Sequence, residues 1–300
     1  MLALLVFFAL FGIFLTQYLP LWMNDNEAQF TSSVATSFAQ YKADVDSQYT
    51  LDGPPVLGTP FTTSSQSVPL IAQPTEGSLR FLSQACPAGF SLKTGQPVNT
   101  AFCVFENQSM SIGPGGSGPY YLSVPTGVLS MQLPNRYYSV EMFQYEADGV
   151  VQVQSGIQQF MAFAPPFNVT RLAGNTTVAS SFLQLYGNST TVVAQGSEEV
   201  YSHLRYSEYL SSNGNKASAT FTYTFEIGTQ YPCAWYRFLS TQLNGSGVPS
   251  TQYSLTSTPT SYSCFNPSGG TTILTLALTS VNYATLFYAG VQVNIGVGGT

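Results

Sequence analysis

The side chains able to do acid–base, nucleophilic or metal chemistry in this chain are few and poorly placed. The sole histidine, His203, has Glu199 four positions before it. One imidazole cannot build a histidine-rich metal site. A serine nucleophile would need this same His as its base, and no nucleophile elbow presents one. The pattern G-x-G-x-x-G occurs at Gly113, Gly115 and Gly118, but Pro114 and Pro119 break it up and Tyr120 to Val124 reads as a strand. A dinucleotide site needs a helix opening at that point. Asp44 and Asp46 stand two apart on a helical pattern and so face different ways, and the spacing of a calcium loop is absent. No acid, base, nucleophile or metal set converges, so the sequence predicts no enzyme and no cofactor.

Covalent chemistry is better represented. Cys86, Cys103, Cys233 and Cys264 show no C-x-x-C spacing, and beside an apolar N-terminus they point to an oxidising exterior. Three connectivities exist and sequence does not choose among them; pairing of neighbours, Cys86 with Cys103 and Cys233 with Cys264, is the expectation preferred. Asn107, Asn168, Asn175, Asn188 and Asn244 each precede a Ser or Thr by two positions with no intervening Pro, the acceptor pattern for N-glycosylation. Only 7% of the residues are charged, against about 25% in ordinary soluble proteins. Polarity comes instead from Ser, Thr, Asn, Gln, Gly and Tyr. Such a surface holds its charge nearly constant as pH changes and suits an exterior exposed to acid or heat. With eight Lys and Arg scattered along a chain of net charge −6, no basic patch exists and nucleic acid is excluded as a partner.

The elements that carry these residues begin with one long helix. Met1 to Met23 contains no charged side chain and is long enough to cross the roughly 30 Å hydrocarbon core of a bilayer. Phe7, Phe11, Phe14, Tyr18 and Trp22 form an aromatic stripe at helical spacing within it, either lipid-facing with an interfacial Tyr and Trp or a seam between copies of the helix. Pro20 predicts a kink unless neighbouring helices satisfy the freed carbonyl. Beyond it Phe30, Val34, Phe38, Tyr41 and Val45 recur at intervals of four, four, three and four, opposite Asp25, Glu27, Lys42, Asp44 and Asp46. A single helix over these residues measures roughly 70 Å at 1.5 Å per residue, and it is expected to protrude.

After the helix, Pro54, Pro55, Pro60, Pro69 and Pro74 predict an extended connection. Period-two alternation then dominates. Phe221, Tyr223, Phe225 and Ile227 form one apolar face, Leu274, Leu276 and Leu278 another, and Val291, Val293, Ile295 and Val297 a third. Tyr138, Val140 and Met142 lead through an Asp148–Gly149 turn to Val151 and Val153, a hairpin. Met161 to Phe167 is a strand stopped by Pro165 and Pro166, and Pro165 to Asn175 is a candidate divide between two sub-sheets. Glu198 to Ser212 reads as a helix-like patch, short helix or loop. The fold class expected is α+β: a hydrophobic-then-amphipathic helix over 1–50 (apolar 1–23, amphipathic 24–50), a connection over 51–78, and a large antiparallel β-sandwich-like head over 79–300.

This layout resembles the type IV pilin superfamily, archaeal pilins and archaellum-like subunits in particular. Asn26 to Asp46, NEAQFTSSVATSFAQYKADVD, is similar to their stalk, and Leu133 to Gly156, LPNRYYSVEMFQYEADGVVQVQSG, to a segment of their heads. The resemblance implies a homo-oligomeric filament, inserted in the membrane before assembly, with bundled apolar helices inside and heads outside at the cell surface, serving adhesion. Phe7, Phe11, Phe14, Tyr18, Pro20 and Trp22 then form the assembly helix. No Lys or Arg precedes the apolar run, so the basic leader that the family's peptidase removes is not visible; Met1 is either the mature N-terminus or the start of an uncleaved anchor. The acidic residue that many bacterial pilins carry near the helix start is also missing, as it often is in archaeal relatives. A second class fits the same layout: a single-copy anchored adhesin whose exposed Tyr pairs, Tyr120 with Tyr121 or Tyr137 with Tyr138, bind a surface or carbohydrate ligand.

Overall fold

The computed structural model describes residues 2–49, 55–67, 73–83, 102–109, 119–155, 158–213, 220–258 and 272–296. It has one long N-terminal apolar helix followed by a large, mostly antiparallel β head, the α+β layout that the pattern predicts. The helix runs as α1 (Leu2–Ile13), a π-turn (Phe14–Tyr18) and α2 (Leu19–Gln48). At the position of the expected Pro20 kink the structure has this π-turn. The Leu19 N–H reaches back to the Phe14 carbonyl, and Pro20 then falls in the first turn of α2, where a missing N–H costs no ladder bond.

The predicted amphipathic face is buried throughout: Phe30, Val34, Phe38, Tyr41 and Val45 are at most 3% exposed. What covers them corrects the expectation that the whole rod protrudes. Among the described residues fifteen strands form two sheets. Those of the larger sheet are β1 (Leu57–Thr62), β3 (Phe102–Ser109), β4 (Pro119–Thr126), β9 (Phe167–Leu172), β10 (Asn175–Gly187), β12 (Ser197–Asn213), β13 (Phe221–Thr229), β14 (Tyr253–Thr258) and β15 (Thr272–Ile295). The smaller holds β2 (Ser78–Leu82), β5 (Val128–Leu133), β6 (Glu141–Glu146), β7 (Gly149–Gln154), β8 (Gln158–Phe163) and β11 (Thr190–Val193), in the order β11-β2-β5-β6-β7-β8. Both sheets turn apolar side chains toward α2. Phe38 meets Phe61 of β1 edge-to-face at 5.0 Å and stacks on Phe143 of β6 at 5.9 Å. Leu129 and Met131 of β5 and Val291 and Val293 of β15 complete this core. The amphipathic half therefore lies with its apolar face against the head and its opposite face, Gln29, Ser32, Thr36 and Gln40 among it, exposed, while the apolar half stands clear.

A second core forms around α3 (Pro232–Gly245), a helix the sequence reading did not find. Its Trp235, Phe238, Leu239 and Leu243 pack with Tyr223, Phe225 and Ile227 of β13 and with Leu274, Leu276 and Leu278 of β15. β15 joins the two cores. The alternating runs at 274–278 and 291–295 are the ends of this single strand, and Val297 lies outside the described residues. Its first part pairs with β13 and β14, and from Val281 onward it pairs with β12 and, in parallel, with β10. The partners change beside Ser280, which adopts φ 63°.

Four further expectations need correcting. The segment 198–212 lies in β12, a strand rather than a helix or loop, paired with β15 from Val200 to Asn213. Leu57–Thr62, inside the expected connection, is a strand on β12. The hairpin of β6 and β7 exists, but its turn is Ala147–Asp148, with Glu146 opposite Gly149 and φ of 45° and 65° at the two turn residues, the handedness that matches strand twist. Tyr138 and Val140 precede the strand, and its most buried face is Phe143 and Tyr145 rather than Met142. Finally, Pro165 and Pro166 separate β8 from β9 but do not divide the sheets in sequence. β1 and β3 pair with the later strands β12 and β13, and β11 pairs with β2, because strands gather by which helix their apolar face covers.

Candidate functional site

Among the described residues, the longest stretch left largely uncovered is the helix from Ala3 to Trp22. Leu4, Leu5, Val6, Phe7, Phe8 and Leu10 are 49 to 72% exposed, whereas Met23, Phe30, Val34, Phe38, Tyr41 and Val45 further along the same helix are at most 3% exposed. It is long and apolar enough to cross a membrane by length and composition. Along it, Phe7 stacks on Phe11 at 6.0 Å, and Phe14 stacks on Tyr18 at 6.0 Å while meeting Trp22 edge-on at 6.0 Å. The predicted stripe thus forms two aromatic groups separated by one helical turn. Thr16 Oγ1 donates to the Gly12 carbonyl at 2.9 Å, beside the π-turn.

Where the helix enters the head, a polar collar fixes it. Glu27 is fully buried and its carboxylate accepts the backbone N–H groups of Arg136, Tyr137 and Tyr138 at 2.7 to 3.0 Å. Thr75 Oγ1 donates to the same carboxylate at 2.5 Å. Burial alone would raise the Glu27 pKa, but the Thr75 hydroxyl and the three backbone donors hold it below its ordinary value. Asn24 Nδ2 donates to the Tyr137 carbonyl at 2.6 Å, and Asn135 Nδ2 donates to Thr31 Oγ1 at 3.1 Å. The helical pattern alone puts Glu27 on the solvated face, and the structure buries it. Its position four residues after Met23 and three before Phe30, on the apolar stripe, was the available signal.

A second buried carboxylate locks the far end of α2. Asp148, in the β6–β7 turn and fully buried, accepts Lys42 Nζ at 2.9 Å, Tyr145 Oη at 2.9 Å and Ser181 Oγ at 2.7 Å. Lys42 also meets Asp46 at 3.1 Å. Burial, and then the Asp148 carboxylate, push the Asp46 pKa up to about 6. Asp44, in contrast, accepts the Thr59 hydroxyl at 2.6 Å. The two aspartates that sequence rejects as a metal pair thus serve different contacts.

The remaining sequence candidates are dispersed. His203 sits on β12 opposite Gln292, its pKa lowered by partial burial and then by Arg205. The adjoining cavity of about 10 Å³ holds no more than a water. The Glu199 carboxylate accepts the Tyr201 hydroxyl and does not reach the imidazole. Among the described residues no group of three or more His, Cys, Asp or Glu could hold a metal. Gly113, Gly115 and Gly118 lie outside the described residues, as do Cys86 and Cys264 and the side chains of Cys103, Asn107, Tyr120 and Tyr121. Cys233, buried at the start of α3, is disulfide-bonded. Asn168, Asn175, Asn188 and Asn244 are exposed. Comparison with protein-family models, with curated proteins and with solved structures returned no match for this chain.

Proposed function

We propose that this chain is the structural subunit of an extracellular filament of the type IV pilin kind, built by bundling the apolar helices of many copies with the β heads outside. The single observation that carries this reading is the contrast along one continuous helix. Its second half has its apolar face buried against its own head, and its first half, with two stacked aromatic groups, stays largely exposed among the described residues. A flexible tether would serve an anchor as well, whereas a rod clamped by Glu27 and Asp148 projects the apolar segment in one fixed direction. Each aromatic side chain buried between copies contributes about 1.5 to 3 kcal/mol relative to water. Relative to the bilayer the gain comes from packing. In this reading the filament serves surface adhesion, Cys233 pairs with Cys264 and Cys86 with Cys103, and the exposed sequons carry glycans at the cell exterior.

The test is electron microscopy of material sheared from the cell surface, with mass spectrometry identifying this chain in the filaments. The variant Phe11→Asp is expected to abolish filaments while leaving the head's thermal midpoint unchanged, since Phe11 touches only Phe7 among the aromatic rings. Normal filaments from that variant, or wild-type chains recovered only as isolated copies in the membrane fraction, would make the anchored adhesin the better reading. Tyr18 and Trp22, both more than half exposed next to the collar, would then lie at the membrane interface.

A further inference from the structure

The outer face of the six-stranded sheet is covered by the α3 core over β7 and β8 and along part of β6, where Met142 packs against that core and Trp235 holds Glu146. Over β2, β5 and β6 it opens into a groove of about 480 Å³, within the range of ligand sites. Arg80, Ser130 and Gln144 stand in register across its floor, one from each strand, with Gln132 in the neighbouring row. Gln230 and Tyr231, on the approach to α3, form the wall. Gln144 is 4% exposed yet lines the groove. Its Nε2 is committed to the buried Glu146 at 2.7 Å, which Trp235 Nε1 and Thr229 Oγ1 hold in turn at 2.6 and 2.7 Å. This fixes the Gln144 amide with its carbonyl oxygen accepting no bond among the described residues. The Arg80 guanidinium has no carboxylate within ion-pair distance among the described residues, in a chain with only eight Lys and Arg.

We propose that this groove binds a saccharide carrying a carboxylate, a uronate-type glycan, with Arg80 taking the carboxylate and Gln132, Gln144, Gln230 and Ser130 the hydroxyls. A fixed Gln144 amide, with further amides and a hydroxyl beside one aromatic ring, suits a polyhydroxylated ligand, and a planar guanidinium pairs with a carboxylate through two parallel hydrogen bonds. An acidic peptide fits less well. β2, β5 and β6 are inner strands whose backbone groups are already paired on both sides, so the groove has no sheet edge to which a peptide strand could add. The proposal concerns the head alone and stands whether or not the helices assemble.

The experiment is isothermal titration calorimetry of the full chain in detergent against a tetragalacturonate, its carboxyl-reduced neutral counterpart, and an acidic tetrapeptide of equal charge. Tetragalacturonate is expected to bind, about tenfold tighter than the reduced sugar, and Arg80→Ala to remove that difference with the thermal midpoint unchanged. Ser130→Trp, which fills the groove from a half-exposed position, is expected to abolish binding of both sugars. No binding of tetragalacturonate by the wild-type chain overturns the proposal. So does equal affinity for the two sugars, tighter binding of the peptide, or affinity unaltered in both variants.

Discussion

At the residue scale, two carboxylates on α2 behave in opposite ways because their surroundings differ. Glu27 is met by four donors and its pKa is lowered. Glu27→Gln sets an amide N–H₂ against those donors. It is expected to cost about 1.5 to 3 kcal/mol of stability, read from the denaturant midpoint of the detergent-solubilised chain. Asp46 has its pKa raised from 3.8 to about 6. The folded chain therefore keeps a proton that the unfolded chain gives up between those values, and stability contributed by Asp46 is lost as pH rises through about 6. Glu141 and Glu146, raised mainly by burial, act in the same direction. Glu27 opposes them, its contribution being lost only as pH falls below about 4. The thermal midpoint is thus expected to climb between about pH 7 and pH 5 and to drop in stronger acid, with a smaller climb in Asp46→Asn; calorimetry across that range checks both. Neither carboxylate's role was legible in sequence, since a lone acidic residue on a helix usually marks a solvated face and its donors come from residues 75 and 136 to 138.

The elements show what periodicity reveals and conceals. The buried face of α2 was fully legible because its apolar residues repeat at helical spacing. Its depth makes it costly to cut: Phe38→Ala, removing a ring packed against Phe61 and Phe143, is expected to destabilise the head by about 3 to 5 kcal/mol in chemical unfolding. β12 misread as helix-like because Val200 and Leu204 stand four apart, a spacing that fits one face of a strand as well as a helix. The residue between them on that face is Ser202, buried but polar, which pairs with Gln48 at 2.8 Å. An inward serine hides the alternation. α3 escaped notice although Pro232 opens it and Gly245 closes it. Its Trp, Tyr and Phe carry strand propensity and lie among segments that alternate.

On the scale of the whole molecule, the order of helix then β head was legible in the sequence, and the insertion of the helix into that head was not. Alternation marks which face of a strand is buried and says nothing of what buries it. That depends on pairings such as β1 with β12 and β2 with β11, over a hundred residues apart. The same insertion has a mechanical consequence. The buried contacts of α2 are spread along its length from Met23 to Gln48, with a carboxylate clamp near each end. A pull on the apolar end along the axis loads these contacts in shear, all at once, instead of peeling them one after another. The tension then passes through β1 and β12, against which α2 lies, into β15, whose 24 residues run from one core to the other.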